Sequence, residues 1–233
     1  MLEITLEGPG RNALGTPVLT ALRDRVRAAG DAPILLRGAG GTFSAGLNLK
    51  EVAALDVDGM TAFLGLLEET LSALYLHPGP VVGLVEGHAI AGGCVLALCC
   101  DWRIAGDDAR ARIGLNEVAL GLRFPPQTWE IVRSRVPVFA RERVFLGAGL
   151  HAPSEALALG LVDEVSADPE ARARAVLAQL AAHPREGYTA AKRALREDVV
   201  NVSAERRAAF VSEVVPVWVS EPVKERLRAA LKR

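Results

Sequence analysis

The sequence predicts an α/β fold, on three observations. Short apolar β-type runs alternate with segments of helical periodicity from residue 2 to about residue 165, the pattern that gives parallel strands joined by helical crossovers. One stretch, residues 81–101, reads as strand, glycine turn and buried helix: Gly92-Gly93 opens an apolar run too long and uninterrupted for a second strand in register. The 233 residues, 50% of them hydrophobic, are enough for a sizeable buried core.

Residues 2–6 form the opening strand, followed by the polar turn Glu7-Gly8-Pro9-Gly10-Arg11-Asn12. A helix starts at Thr16 or Pro17, places Val18, Leu19, Leu22, Val26 and Ala29 on one face, and ends at Gly30. Residues 33–36 make a short buried strand, 37–46 a loop, and 48–55 a helical stretch. A longer amphipathic helix covers 60–76 and is closed by His77-Pro78-Gly79-Pro80. Beyond the central stretch, 102–105 and 110–113 read as short strands leading to Gly114-Leu115-Asn116-Glu117-Val118. Pro125-Pro126 presets a helix start at Gln127, and another helix runs over 137–146. Ser154 is expected to cap a short helix ending near Gly160, and 161–165 is the last strand. After Asp168 the composition shifts to Ala, Arg, Glu and Leu at helical spacing. The boundary is therefore set there: an α/β body over 1–168 and an all-helical region over 169–233, with Val214 and Trp218 on apolar faces. No internal repeat is evident.

Composition narrows the function classes. A net charge of -1 offers no basic field for nucleic acid, so no nucleic-acid partner is expected. The three cysteines lack zinc-ligand spacing, and Cys99 and Cys100 are adjacent in an apolar segment; they read as reduced core residues, with no metal site. The chain opens on strand-like alternation, with no charged leader before an apolar run and no long charge-free apolar span. The expectation is a cytoplasmic protein, neither exported nor held in a membrane.

Gly92 and Gly93 put bare N–H groups at a helix start, where first-turn donors lack partners and the macrodipole is positive. That suits an anion; alternatively, the glycines only let the helix pack closely. A second glycine turn, Ala45-Gly46-Leu47, strengthens the first reading. Neither turn is a P-loop, because no Lys-Ser/Thr follows, and neither is a GxGxxG dinucleotide turn.

Residues Phe43-Ser44-Ala45-Gly46-Leu47-Asn48-Leu49-Lys50-Glu51, taken with 87–101 and Gly114-Leu115-Asn116-Glu117, resemble the crotonase superfamily of enoyl-CoA hydratases and isomerases. The resemblance runs from Asn12-Ala13-Leu14 to Ser220-Glu221. It implies a crotonase-like spiral of ββα units with a C-terminal helical region that assembles a homotrimer or dimer of trimers. It also implies an acyl-CoA substrate, with coenzyme A entering as part of the thioester and no separate cofactor. By the same resemblance the N–H groups of Leu47 and Gly92 polarise the thioester carbonyl, and Ala45, Lys50 and Arg11 contact the coenzyme A moiety. Lys50 and Arg11 read equally well as ordinary surface cations.

Hydratases of this superfamily use two glutamates, one on the helix after the glycine turn and one in the Gly-x-x-Glu segment. Here the first position is Val95, and only Glu117 remains. A single carboxylate suits proton shuttling in a 3-enoyl-CoA, which moves the double bond to give the 2-trans-enoyl-CoA of fatty acid β-oxidation type. Gly114-Leu115-Asn116-Glu117 with Leu120-Gly121, and Cys100-Asp101-Trp102-Arg103-Ile104, look like the mitochondrial type of 3,2-enoyl-CoA isomerase. The alternatives are hydration, thioester hydrolysis, or a non-catalytic acyl-CoA-binding or RNA-binding member. Asn48 stands where the family more often has Asp, and either caps the following helix. His88, Trp102, Trp129 and Trp218 are expected to pack, and Arg206, Arg207 and Lys224 to form a solvated face.

Overall fold

Strands whose alternate residues are all apolar must be covered on both sides, and that requirement sets the layers of this molecule. The computed structural model describes residues 1–231. Five parallel strands form the main sheet in the order β1-β2-β3-β5-β7: β1 Leu2–Leu6, β2 Ile34–Gly38, β3 Val81–Val85, β5 Trp102–Gly106 and β7 Glu164–Ser166. Two very short strands, β4 Ala89–Ile90 and β6 Ile113–Gly114, pair in parallel as a second layer. Single bridges Leu14–Leu47 and Ser44–Ala89, both parallel, and the antiparallel bridge Ile113–His151 extend that layer.

The longer helices are α1 Thr16–Ala28, α2 Val57–Tyr75, α3 Gly92–Cys99, α4 Pro126–Arg135, α5 Pro169–Ala181, α6 Arg185–Arg196 and α7 Glu221–Ala230. Each of the first four main-sheet strands in chain order is followed by an extended step in the second layer and then a helix, which is the expected spiral of ββα units. The repeat is invisible in the sequence because the second β-step of each unit is only one or two paired residues. On one face of the sheet, Ile34, Leu36, Val81 and Val85 join the large core with α1, α2 and α3. On the other face Leu35, Val82, Leu84 and Ile104 pack on Ala173, Val176 and Leu177 of α5. Period-two alternation separates these two sets. The composition shift at Asp168 marks a helix start, since Asp168 Oδ1 accepts the Ala171 N–H, and α5 lies directly on the sheet.

Helix α3 is buried along its whole length, with apolar side chains all round. Its C-terminal carbonyls are met by cations from elsewhere in the chain. Arg135 Nε donates to Leu98 O at 3.0 Å and its Nη2 to Cys100 O at 2.9 Å, while Arg196 Nη1 donates to Cys99 O at 3.2 Å. Asp101 follows immediately and is the counter-ion: Oδ2 accepts from Val81 N, Tyr188 Oη and Lys192 Nζ, and Oδ1 pairs with Arg196 Nη2 at 2.8 Å. This hub pins α6 of the C-terminal region to the start of β3 and the end of α3.

Several local expectations shift. The strand expected at 110–113 reduces to Ile113–Gly114, because residues 107–112 turn, with Asp108 bonding Arg110. The last strand is Glu164–Ser166 rather than 161–165; Leu161 and Val162 are core residues of the turn before it. Ser154 lies inside its helix, whose N-cap is Ala152 with Pro153 at the first position. Of the tail cations, Arg206 and Arg207 are exposed as expected, in surface ion pairs, and Lys224 is half-buried. Lys224 Nζ donates to Leu55 O, and Arg206 and Arg207 pair with Glu130 and Glu68. The cysteines are free and buried, with the Cys94 thiol pushed up to about 12 by burial. Trp218 is buried and Trp129 packs between Phe124 and Phe145, whereas Trp102 is partly exposed and donates to Glu164. No helix among the described residues is long and apolar enough to cross a membrane.

Replacing Asp101 by Asn leaves Lys192 and Arg196 buried without a counter-charge, so Asp101→Asn is expected to cost about 3–5 kcal/mol of stability. Urea unfolding monitored by circular dichroism checks this, and a midpoint equal to wild type contradicts it.

Candidate active site

Two glycine turns from different units of the spiral come together at the N-terminus of α3. Gly46 has φ +89, and a Cβ on it would sit 2.7 Å from Ile90 O and 3.4 Å from Gly92 N. A Cβ on Gly93 would fall 2.4 Å from Ser44 O. The glycines therefore serve the close approach of two backbones, and the approach is what brings Leu47 beside Gly92: a Cβ on Gly92 would lie 3.2 Å from Leu47 Cδ2.

The direction of the Leu47 N–H follows from its bridge. Leu14 N donates to Gly46 O at 2.8 Å and Asn48 N donates to Leu14 O at 3.1 Å, which uses the groups on one edge of the segment. In extended backbone the N–H of Leu47 then points to the other edge, where no protein acceptor meets it among the described residues. Gly92 is the first residue of α3, and its N–H is likewise without a protein acceptor there. Ala91, just before it, holds φ 49 and ψ −119, a sparsely populated conformation for a residue with a Cβ. Its N–H donates to Gly114 O at 2.8 Å and its carbonyl accepts from Val95 N at 2.9 Å, so both sides of the strained residue are tied down.

Upstream, Gly10, Arg11 and Asn12 form a left-handed turn with φ near 60 at each. Buried Asn12 secures it, since Nδ2 donates to Ala39 O and Thr42 O and its carbonyl accepts from Ser44 Oγ. Arg11 O accepts from Ala45 N at 3.0 Å, so the Arg11 turn and the Ala45 turn move as one.

These elements enclose a cavity of about 570 Å³. Arg11, Ala45, Leu47, Gly92, Val95 and Glu117 all line it. Lys50 does not; it is an exposed residue on the helical turn Leu49–Val52, whose N-cap Asn48 accepts from Glu51 N. Glu117 opens the short helix Glu117–Leu120 and is 8% exposed. Its Oε2 has no hydrogen-bond partner, and burial pushes its pKa from the ordinary 4.5 up to about 8. It is the only carboxylate lining the cavity among the described residues. His88 stays outside, its Nδ1 accepting from Arg112 N. A surface groove of about 620 Å³ on the outer side of α2 holds Glu68, but that carboxylate already accepts from Gln127 N and pairs with Arg207.

Sequence reasoning missed Ala91, Asn116 and Thr128. Nothing in Ala-Gly-Gly announces a positive φ at the alanine. Asn116 and Thr128 line the cavity with Oδ1 and Oγ1 buried and unpartnered. The one signal for Thr128 was a polar residue on a turn of α4 that had to face inward.

Residues 1–225 match the family described as enoyl-CoA hydratase/isomerase. The human mitochondrial enoyl-CoA delta isomerase 1 is 30% identical over 195 residues, 83% of this chain and 65% of that protein. The chain thus spans just under two thirds of that relative's length. A probable enoyl-CoA hydratase of Mycobacterium tuberculosis is 30% identical over 228 residues, covering 93% of this chain and 85% of that one. Among solved structures, that of human mitochondrial delta3-delta2-enoyl-CoA isomerase superposes with a TM-score of 0.91 at 27% identity, covering 99% of this chain and 92% of the other. With the fold, the paired glycine turns and the family match in agreement, this chain belongs to the enoyl-CoA hydratase/isomerase family.

Proposed function

We propose that the protein converts 3-enoyl-CoA to 2-trans-enoyl-CoA, with Glu117 as the single proton carrier. The observation that carries this reading is the lone carboxylate: Glu117 faces a cavity whose wall at residue 95 is a valine. Hydration by two carboxylates has no second acid to use there.

The thioester oxygen accepts from the N–H groups of Leu47 and Gly92. Ionised Glu117 removes a proton from C2, the electron pair passes through the carbonyl to the oxygen, and the two N–H donors stabilise the charge by roughly 3 kcal/mol each. The resulting dienolate is protonated at C4 by the now neutral Glu117, which restores the carboxylate and leaves the double bond between C2 and C3. Apolar neighbours that raise the Glu117 pKa keep both protonation states accessible near neutral pH. Arg11 and Ala45, at the cavity rim, are assigned to the coenzyme A moiety. Lys50, outside the cavity lining, is assigned there only as an outer contact with the phosphates.

The same reading includes assembly as a trimer, supported by the exposed apolar side chains Val138, Phe139 and Leu146. A sedimentation mass near three times 24.7 kDa is expected, and a mass of one chain contradicts it.

Following the absorbance of the conjugated thioester with a 3-enoyl-CoA tests the reaction. Glu117→Gln is expected to lower kcat by at least about 100-fold with little change in KM. Unchanged turnover in that variant, or 3-hydroxyacyl-CoA or free coenzyme A as the main product of the wild type, contradicts the assignment.

The base must be ionised, so kcat/KM is expected to rise with pH through a midpoint near pH 8 and level off above it, with that limb absent from Glu117→Gln. A profile flat from pH 6 to 9 argues against Glu117 as base.

Stability runs the opposite way. The folded state holds the Glu117 proton up to about pH 8 while the unfolded chain releases it near 4.5, so this group's contribution is full below 4.5 and is lost as pH rises towards 8. Glu117→Gln is therefore expected to be more stable than wild type at pH 8, by about 2 kcal/mol or more. Equal thermal midpoints at pH 8 contradict the buried, neutral carboxyl.

A further inference from the structure

Glu117 sits on a helix of a single turn, Glu117–Leu120, and a turn that short is not stable by itself in water. Its closing bonds are local: Gly121 N donates to Val118 O and Leu122 N to Glu117 O. Leu120 O, the last carbonyl, lies beyond the reach of the turn's own N–H groups and is met from the C-terminal region. Arg226 Nε donates to it at 2.9 Å, from 106 residues away in sequence. The guanidinium lies over Gly121, whose φ is +73 and on which a Cβ would stand 2.6 Å from Nη2. Three residues beyond Leu120, Arg123 O accepts from Trp218 Nε1 at 3.1 Å.

Arg226 is carried by α7, whose Val223 and Leu227 are buried in the core and whose Ala230 lines the cavity. On the same helix Lys224 Nζ donates to Leu55 O, just beyond the helical turn that follows Leu47. Helix α7 is therefore fastened on both flanks of the cavity, through Lys224 on the side of the Leu47 N–H and through Arg226 on the side of the carboxylate. Arg228 is differently engaged: it pairs with Glu221 of α7 itself.

We propose that Arg226 is a positioning residue: by holding Leu120 O it fixes the one-turn helix that presents Glu117 to the cavity. The inference rests on the reading of Glu117 as proton carrier and adds the residue that aims it. A guanidinium also acts on a carboxylate through its charge, and the two effects have opposite signs. Loss of a nearby cation raises a carboxyl pKa, whereas a frayed turn lets water reach Glu117 and lowers its pKa from about 8 towards 4.5. Arg11 lines the same cavity and the Cys94 thiol on α3 feels the Glu117 charge, and both are left in place by a substitution at Arg226.

Infrared difference titration of the free protein, with the Glu117 band assigned by its absence from Glu117→Gln, reads this pKa without any reaction. Arg226→Met keeps the length of the side chain and removes the donor. It is expected to lower the Glu117 midpoint by at least about one pH unit and to lower kcat for a 3-enoyl-CoA, measured on the alkaline plateau, at least about tenfold. Arg226→Lys, which keeps a donor, is expected to restore both in large part, and Arg228→Met to change neither. A midpoint that is unchanged or raised in Arg226→Met, an equal fall in Arg228→Met, or a lowered midpoint beside an unchanged kcat overturns the proposal. A lowered midpoint in a protein that does not isomerise 3-enoyl-CoA upholds the hold of Arg226 on Glu117 and rejects only the reaction.

Discussion

The two ends of helix α3 are committed to different tasks, and the rest of the molecule is arranged around that division. At its C-terminus the carbonyls of Leu98, Cys99 and Cys100 are occupied by the guanidinium groups of Arg135 and Arg196, with Asp101 as buried counter-ion. At its N-terminus the first N–H is left without a protein partner and faces a cavity. The cations are favourable for the helix dipole at one end, and the open donor at the other is where the same dipole favours negative charge.

Holding that donor in place requires tension elsewhere. Ala91 is kept at a positive φ by bonds to Gly114 and Val95, from two different units of the spiral. Leu47 owes its direction to a bridge with Leu14, from a third. No single segment contains the site. It exists because the spiral stacks successive units one step apart, and glycines at 46 and 93 let the steps touch. Glu117 adds the opposing constraint, a carboxyl withdrawn from water whose ionisation is costly when the cavity is empty. On the proposed reaction, stability and chemistry pull on that residue in opposite directions.

The layers of the fold were legible in the sequence because they rest on local patterns. The strands at 2–6 and 81–85, helix α1 and the buried helix after Gly92 all follow from periodicity and glycine placement, and all are present. What the sequence hid is non-local. One-residue bridges such as Leu14–Leu47 carry no periodicity, so the repeat stayed unseen. Arg196 and Lys192 look like surface cations of an amphipathic helix until the fold puts Asp101 between them. In the site, Leu47, Gly92 and Glu117 were found through motif position and do share one cavity, while Lys50 lies outside its lining. Ala91 had no signal, since a strained φ is a property of the folded chain alone.

The central claim is that one buried carboxylate carries one proton between two carbons. Isomerisation of a 3-enoyl-CoA deuterated at C2, in ordinary water, tests it most directly, with the label located in the product by NMR. A single shielded carrier delivers deuterium from C2 to C4 in a substantial part of the product. Product whose C4 draws its new hydrogen entirely from solvent would contradict the account, because the proton removed from C2 would then not be the one returned to C4.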